Sequence, residues 1–156
     1  MNKKILVALD DSKNAMRAVK YVASHFTTDH RITLISVLQD VAALCKLESP
    51  ELTPHFISQQ TSFCTLEDEK RKLVENAQQK AKAQLIEAGF NEKSITTKIE
   101  SKQRSVARDI VTEAADGYDV IVIGRRGLTG LKEFFMGSVS HKILNLAKDI
   151  SVLIVN

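Results

Sequence analysis

Four short apolar runs, none alternating with polar residues, constrain this chain more than any other feature. They are residues 3–9, ending Ile5-Leu6-Val7-Ala8-Leu9; residues 31–38 (Arg-Ile-Thr-Leu-Ile-Ser-Val-Leu); residues 118–123 (Tyr-Asp-Val-Ile-Val-Ile); and Ser151-Val152-Leu153-Ile154-Val155. A strand wetted on one face alternates in polarity, so residues 3–9 and 118–123 predict strands covered on both faces, and residues 31–38 and 151–155 predict two more strands. The cover is visible between them. After Ser12, which can cap a helix, Met16, Val19, Val22, Ala23 and Phe26 recur at helical spacing, with Arg17, Lys20 and Ser24 on the outer side. Residues 66–88 are rich in Glu, Lys, Gln and Ala and carry the apolar stripe Leu73, Val74, Ala77, Ala81, Leu85 and Ala88, with Gly89 as a stop. Residues 94–100 predict a more polar, peripheral strand. Ser105 can cap a helix burying Val106, Ile110, Val111 and Ala114, and a last helix is expected over residues 138–147. Strand and helix alternate throughout, which predicts an α/β fold with a parallel sheet and helices on both faces.

The 156 residues, 44% hydrophobic, suffice for one domain spanning residues 1–156. Residues 39–64 are the least regular part. They hold Pro50, Pro54, Cys45 and Cys64 and are expected to form an irregular loop or lid, with room for a short helix near residues 40–47. Two cysteines with no C-x-x-C make no disulfide scaffold; unreactive thiols are expected, with a redox role left open. A net charge of +3 does not imply nucleic acid, and two Tyr and six Phe without a strand-borne cluster give bases little to stack on. No apolar run reaches transmembrane length, and the opening has too few apolar residues for a secretory signal, so the expectation is a cytoplasmic protein without a membrane partner. His25, His30, His55 and His141 are dispersed and make no i,i+4 metal pair.

The chemistry concentrates after the apolar run at residues 118–123. Of six glycines, four (Gly124, Gly127, Gly130 and Gly137) fall within fourteen residues. Glycines there allow close backbone approach to a ligand or a positive φ. Gly137-Ser138 opens a helix whose free N–H groups and dipole suit a phosphate. Ser138 and Ser140 add hydroxyls, and Arg125 and Arg126 add positive charge. Neither G-x-x-x-x-G-K-[ST] nor G-x-G-x-x-G is present, which excludes a Walker NTPase and a standard dinucleotide site. Asp10, at a strand's carboxyl end, can cap the next helix or accept from a ligand amine or hydroxyl.

The spacing G-x2-G-x9-G-[ST] resembles the ATP-binding signature of the universal stress protein (UspA-like) family. Gly124, Gly127, Gly137 and Ser138 fit it, and Ile5-Leu6-Val7-Ala8-Leu9-Asp10-Asp11-Ser12 is similar to that family's first strand and Asp-x-Ser end. The resemblance covers nearly the whole chain. Departures are Arg125-Arg126 in place of Ser-His or Ser-Arg, Ala8 in place of a common proline, and residues 101–105 without Gly or Pro. It implies an open, Rossmann-like five-stranded sheet ordered 3-2-1-4-5 with nucleotide between strands 1 and 4. It also implies Asp10 and Val37 at adenine, and Gly124, Arg126 and Gly127 along ribose and phosphates. Gly137, Ser138, Val139 and Ser140 would hold phosphates. Mg²⁺ or Mn²⁺ would ride mainly on the phosphates rather than on protein side chains.

The expected function is therefore an ATP-binding stress or signalling module that binds rather than turns over. No general base or Walker B acid is evident, and slow hydrolysis or autophosphorylation at Ser138 or Ser140 stays open. The competing reading from the same fold is a nucleotide-independent dimeric interaction protein. A receiver domain lacks its third Asp after strand 3, and an ATP pyrophosphatase lacks its Ser-Gly-Gly loop. In the implied strand order, residues 151–155 form an unblunted apolar edge, which predicts a homodimer through that strand. A protein partner is expected but not named by the residues.

Overall fold

The computed structural model describes residues 2–48, 50–126 and 136–156. Its centre is a parallel sheet of β1 (Lys4–Ala8), β2 (Arg31–Leu38), β3 (Ile95–Ser101), β4 (Val120–Gly124) and β5 (Ser151–Val155), in the order β3-β2-β1-β4-β5. The expected order is the observed one. The helices are α1 (Lys13–His25), α2 (Ala42–Cys45), α3 (Pro54–Glu87), α4 (Val106–Ala114) and α5 (Ser138–Leu146).

The strands lack polar alternation because both faces are covered. Along β1 and its end, Ile5, Val7 and Leu9 pack with Ala18, Val19 and Val22 of α1 and Ala81 and Leu85 of α3. Leu6 and Ala8 join Ala107 and Ile110 of α4 and Ile143 of α5 on the other face. Each fully buried Ile, Leu or Val contributes about 1.5–3 kcal/mol. The helix starts follow the expected caps. Ser12 Oγ accepts from Ala15 N at 3.1 Å, and Ser105 Oγ accepts from Arg108 N at 3.2 Å.

The structure corrects the expectation for residues 39–64. The sequence predicts an irregular loop or lid there, yet α3 begins at Pro54 and runs 34 residues without a break. Proline tolerates the first helical turn, where its missing N–H has no partner to lose, and Thr53 Oγ1 caps the helix by accepting from Phe56 N at 3.2 Å. The short helix expected near residues 40–47 is the four-residue α2. The expectation of unreactive free thiols is corrected as well: Cys45 at the end of α2 and Cys64 on α3 form a disulfide, their Cα atoms 5.8 Å apart. Extending α3 back to residue 54 brings Cys64 alongside α2, a juxtaposition invisible while the segment reads as loop.

Polar groups inside the sandwich fix the sheet ends. Gln78 of α3 is buried and donates through Nε2 to Ser36 Oγ at 2.9 Å and to Lys98 O at 2.7 Å, while Ser36 Oγ donates to Leu9 O at 2.7 Å. With Leu9 N donating to Ile35 O at 2.8 Å, this holds the exit of β1 against β2, where Asp10 begins. On the opposite sheet face, Lys98 Nζ donates to Glu113 Oε1 at 2.6 Å, and Tyr118 Oη lies 2.8 Å from the same oxygen and 3.1 Å from Thr33 Oγ1. Burial pushes the Glu113 carboxyl up, but the hydrogen bonds from Lys98 and Tyr118 and the Lys98 charge together hold it below its usual value. Lys98 is raised, first by its hydrogen bond to Glu113. This cluster anchors α4, which supplies a wall of the site.

Candidate functional site

The chain order reverses at β1: β2 lies on one side and β4 on the other. Crossovers diverge at such a point and leave a crevice beyond the strand carboxyl ends. Here the crevice is a cleft of about 270 Å³. One flank is apolar, built from Ala8, Ile35, Val37, Val106, Ile110 and Ile123. The other is polar and comes from the chain after β4, with Gly124, Arg126, Gly137, Ser138, Val139 and Ser140. Asp10 and Ser12 lie between them at the exit of β1. An apolar slot beside a few convergent polar groups is the usual form of a small-molecule site.

The polar flank is built on one carbonyl. Arg125 N donates to Val155 O at 2.7 Å, which continues the β4–β5 ladder for one more residue. Arg125 O then accepts from Gly137 N at 2.8 Å and from Ser140 Oγ at 2.8 Å. The chain thus returns at Gly137 to the point it left after Arg126. A side chain at Gly137 would not fit freely: a Cβ there would lie 3.1 Å from Arg125 O and 3.2 Å from Arg126 Cα. Gly124 is tighter still, its would-be Cβ 2.6 Å from Asn14 O in the first turn of α1. The positive φ values among the described residues are at Gly89 and Gly117 and not at these two. Close packing of chain on chain accounts for glycine at both positions.

Gly137 is the N-cap of α5 and, having no side chain, makes no cap hydrogen bond, whereas Ser12, Thr53 and Ser105 cap α1, α3 and α4. The amides opening α5 have no carbonyl one turn earlier within the helix, and they sit at its positive end beside the cleft. That is the arrangement an anion requires.

Of the expected site residues, Asp10, Val37, Gly124, Arg126, Gly137, Ser138, Val139 and Ser140 all line this cleft. Gly127 lies outside the described residues. Arg125 is not among the lining residues; its Nη1 lies 3.3 Å from Asn156 Oδ1 at the end of β5. Ser140 lines the cleft but is 3% exposed, and its hydroxyl faces Arg125 O and Gly137 O, so it braces the loop. Asp10 Oδ1 accepts from Ser12 N at 2.9 Å, which orients the carboxylate across the β1–α1 turn. His141 is exposed, with Nε2 3.1 Å from Asn145 Nδ2, and does not line the cleft. Val106 and Ile110 of α4 are wall residues that sequence reasoning assigned to the helix core; spacing alone does not separate the two roles. Among the described residues, no group of three or more His, Cys, Asp or Glu side chains gathers as a metal site, and no helix is long and apolar enough to cross a membrane.

Comparison with known proteins agrees with this architecture. The profile of the universal stress protein family matches residues 1–156. The chain belongs to the universal stress protein family. It is 33% identical over 153 residues to universal stress protein YxiE of Bacillus subtilis, covering 94% of this chain and 95% of that one. It is 31% identical over 149 residues to universal stress protein MJ0577 of Methanocaldococcus jannaschii, covering 92% and 89%. The solved structure of MJ0577 superposes with a TM-score of 0.66 over 99% of this chain and 96% of that one. A universal stress protein solved in complex with cAMP shares the fold, with a TM-score of 0.63 at 16% identity over 99% and 97% of the two chains.

Proposed function

We propose that this universal stress protein binds an adenine nucleotide, ATP foremost, in the cleft between β1 and β4, and that binding rather than rapid turnover is its output. The observation carrying the proposal is the start of α5, whose N-cap Gly137 makes no side-chain cap hydrogen bond, at the polar end of an apolar slot. The slot formed by Ala8, Val37, Val106 and Ile110 suits a flat base, and the amides of Ser138 and Val139 with Arg126 suit phosphates. Asp10, at the junction of slot and polar flank, is placed to accept from the exocyclic amine or a ribose hydroxyl. Mg²⁺ or Mn²⁺ would travel with the phosphates, held by their oxygens and water. In this reading the protein is a cytoplasmic, homodimeric stress or signalling module, paired through β5. Three of the five β5 residues, Val152, Leu153 and Ile154, are apolar and only half-buried at the sheet edge, which supports pairing with a second copy.

The test is calorimetric titration of ATP into wild type and Ser138→Asp. Ser138 is exposed on the first turn of α5, where an added carboxylate favours the helix dipole while repelling phosphate. The fold should therefore be retained while ATP affinity falls about tenfold or more. Equal affinity in the two proteins would remove phosphate from this helix end.

A further inference from the structure

We propose that the Cys45–Cys64 disulfide is a reversible redox clamp that ties the oxidation state of this chain to the affinity of the neighbouring cleft. The coupling, though not the clamp, rests on the nucleotide reading above. The helix it pins, α2, has four residues and buries none of them, and its opening amide, Ala42 N, donates to Asp40 Oδ1 at 3.0 Å. A helix that short does not persist on its own. Besides the disulfide, its attachments to α3 include the Gln60 Nε2 amide, which donates to Leu44 O and, at 3.1 Å, to Leu47 O. Both cysteines are partly exposed, so an incoming thiolate can reach them.

The clamp lies against the cleft. Val41 and Leu44 of the α2 segment, with Phe63 of α3, line a groove whose remaining apolar wall is Val37 and Val106. Those same two residues line the apolar end of the cleft. The groove and the base slot share a wall, and α2 covers the far side of it. When the disulfide holds α2, Val41 and Leu44 form the far wall of this groove over Val37 and Val106; when it is reduced, α2 loses its covalent tie to α3 and the groove over Val37 and Val106 widens.

The chemistry is thiol–disulfide exchange with a dithiol. One thiolate of the dithiol attacks a sulfur of the Cys45–Cys64 bond, giving a mixed disulfide and one released cysteine thiolate. The second thiol of the reductant then resolves the mixed disulfide. Two electrons and two protons pass to Cys45 and Cys64, and the reductant leaves as its disulfide. An incoming disulfide reverses the sequence: the Cys45 and Cys64 thiols reduce it to two thiols and re-form their own bond.

The experiment uses the full chain in its air-oxidised form, after reduction by dithiothreitol, and as Cys45→Ser. Hydrogen exchange is followed at the amides of Cys45, Lys46 and Leu47, which donate to Val41 O, Ala42 O and Leu44 O in the clamped state. ATP affinity is measured by calorimetry on the same samples. Reduction is expected to lower protection at those amides about tenfold or more and to weaken ATP about three- to tenfold by undoing a pre-ordered wall. Cys45→Ser should match the reduced protein and ignore dithiothreitol. Oxidised and reduced forms that bind ATP equally well overturn the clamp's coupling while leaving the nucleotide reading intact. Failure of both forms to bind ATP overturns the nucleotide reading and this coupling with it. Unchanged amide protection on reduction overturns the clamp itself.

Discussion

Replacing Gly124 with alanine tests whether glycine at the end of β4 answers to packing. The added Cβ would lie 2.6 Å from Asn14 O, 2.7 Å from Asn14 C and 3.1 Å from Asn14 Cβ. Ordinary carbon contacts sit at about 3.5 Å or more, so the first turn of α1 must retreat by most of an ångström. The clash is with backbone, and no rotamer change relieves it. Retreat is resisted because Ala15, Ala18, Val19 and Val22 of α1 are buried against the sheet. Overpacking of this kind costs about 1–3 kcal/mol, which for a chain of this size lowers Tm by about 3–10 °C. Gly117→Ala is the control: its φ is +78° with nothing within 4 Å of the new Cβ, so it pays only the left-handed backbone cost of about 1 kcal/mol. Urea unfolding and calorimetry on the three proteins separate the effects. Gly124→Ala within about 0.5 kcal/mol of wild type would refute the packing argument.

Glu113→Gln should destabilise the protein by about 1 kcal/mol at pH 7, because it removes a charge-assisted bond to Lys98 while Lys98 keeps much of its contact with water. The Glu113 carboxyl is held below 4.5 in the fold, so its contribution is present above that pH and fades as pH falls through the lowered value; urea unfolding at pH 7 and pH 3 should show the gap closing, and a constant gap would count against it. Arg126→Ala should weaken ATP more than adenosine in calorimetry, and Arg125→Ala should do so much less, since only Arg126 lines the cleft; equal effects of the two would show that the arginines merely hold the loop. Ile154→Pro removes an outward donor from the edge strand β5, because Arg125 N donating to Val155 O turns the backbone of Ser151, Leu153 and Val155 toward β4, and it should shift the chain from dimer toward monomer in light scattering; a wild-type mass near 17.3 kDa at high concentration would rule out the dimer.

The fold is legible where burial is two-sided. Ile5-Leu6-Val7 and Val120-Ile121-Val122 announce strands because helices cover both faces and no position is left for a polar residue. The first half of α3 is illegible for the opposite reason. Phe56, Ile57, Phe63 and Leu66 are 39%, 46%, 39% and 63% exposed, so no core-facing stripe emerges there, and Pro54 reads as a breaker although it starts the helix. At the cleft, the glycine spacing marks the polar flank, and packing accounts for two of the glycines: at Gly124 and Gly137 the space is taken by Asn14 and by Arg125 and Arg126. Arg125 and Arg126 are equivalent as letters, yet one reaches Asn156 while the other lines the cleft. The wall residues Val106 and Ile110 carry no mark separating them from an ordinary helix core, since the cleft is continuous with that core.

The most direct measurement is nuclear magnetic resonance of the isotope-labelled chain titrated with ATP and Mg²⁺. The account predicts saturable shifts concentrated at the amides of Ser138, Val139 and Ser140, with Asp10, Val37 and Gly124 following at the same ligand concentration. Shifts absent from the start of α5, or centred at the other end of the sheet around Lys4, Arg31 and Thr96, would contradict it.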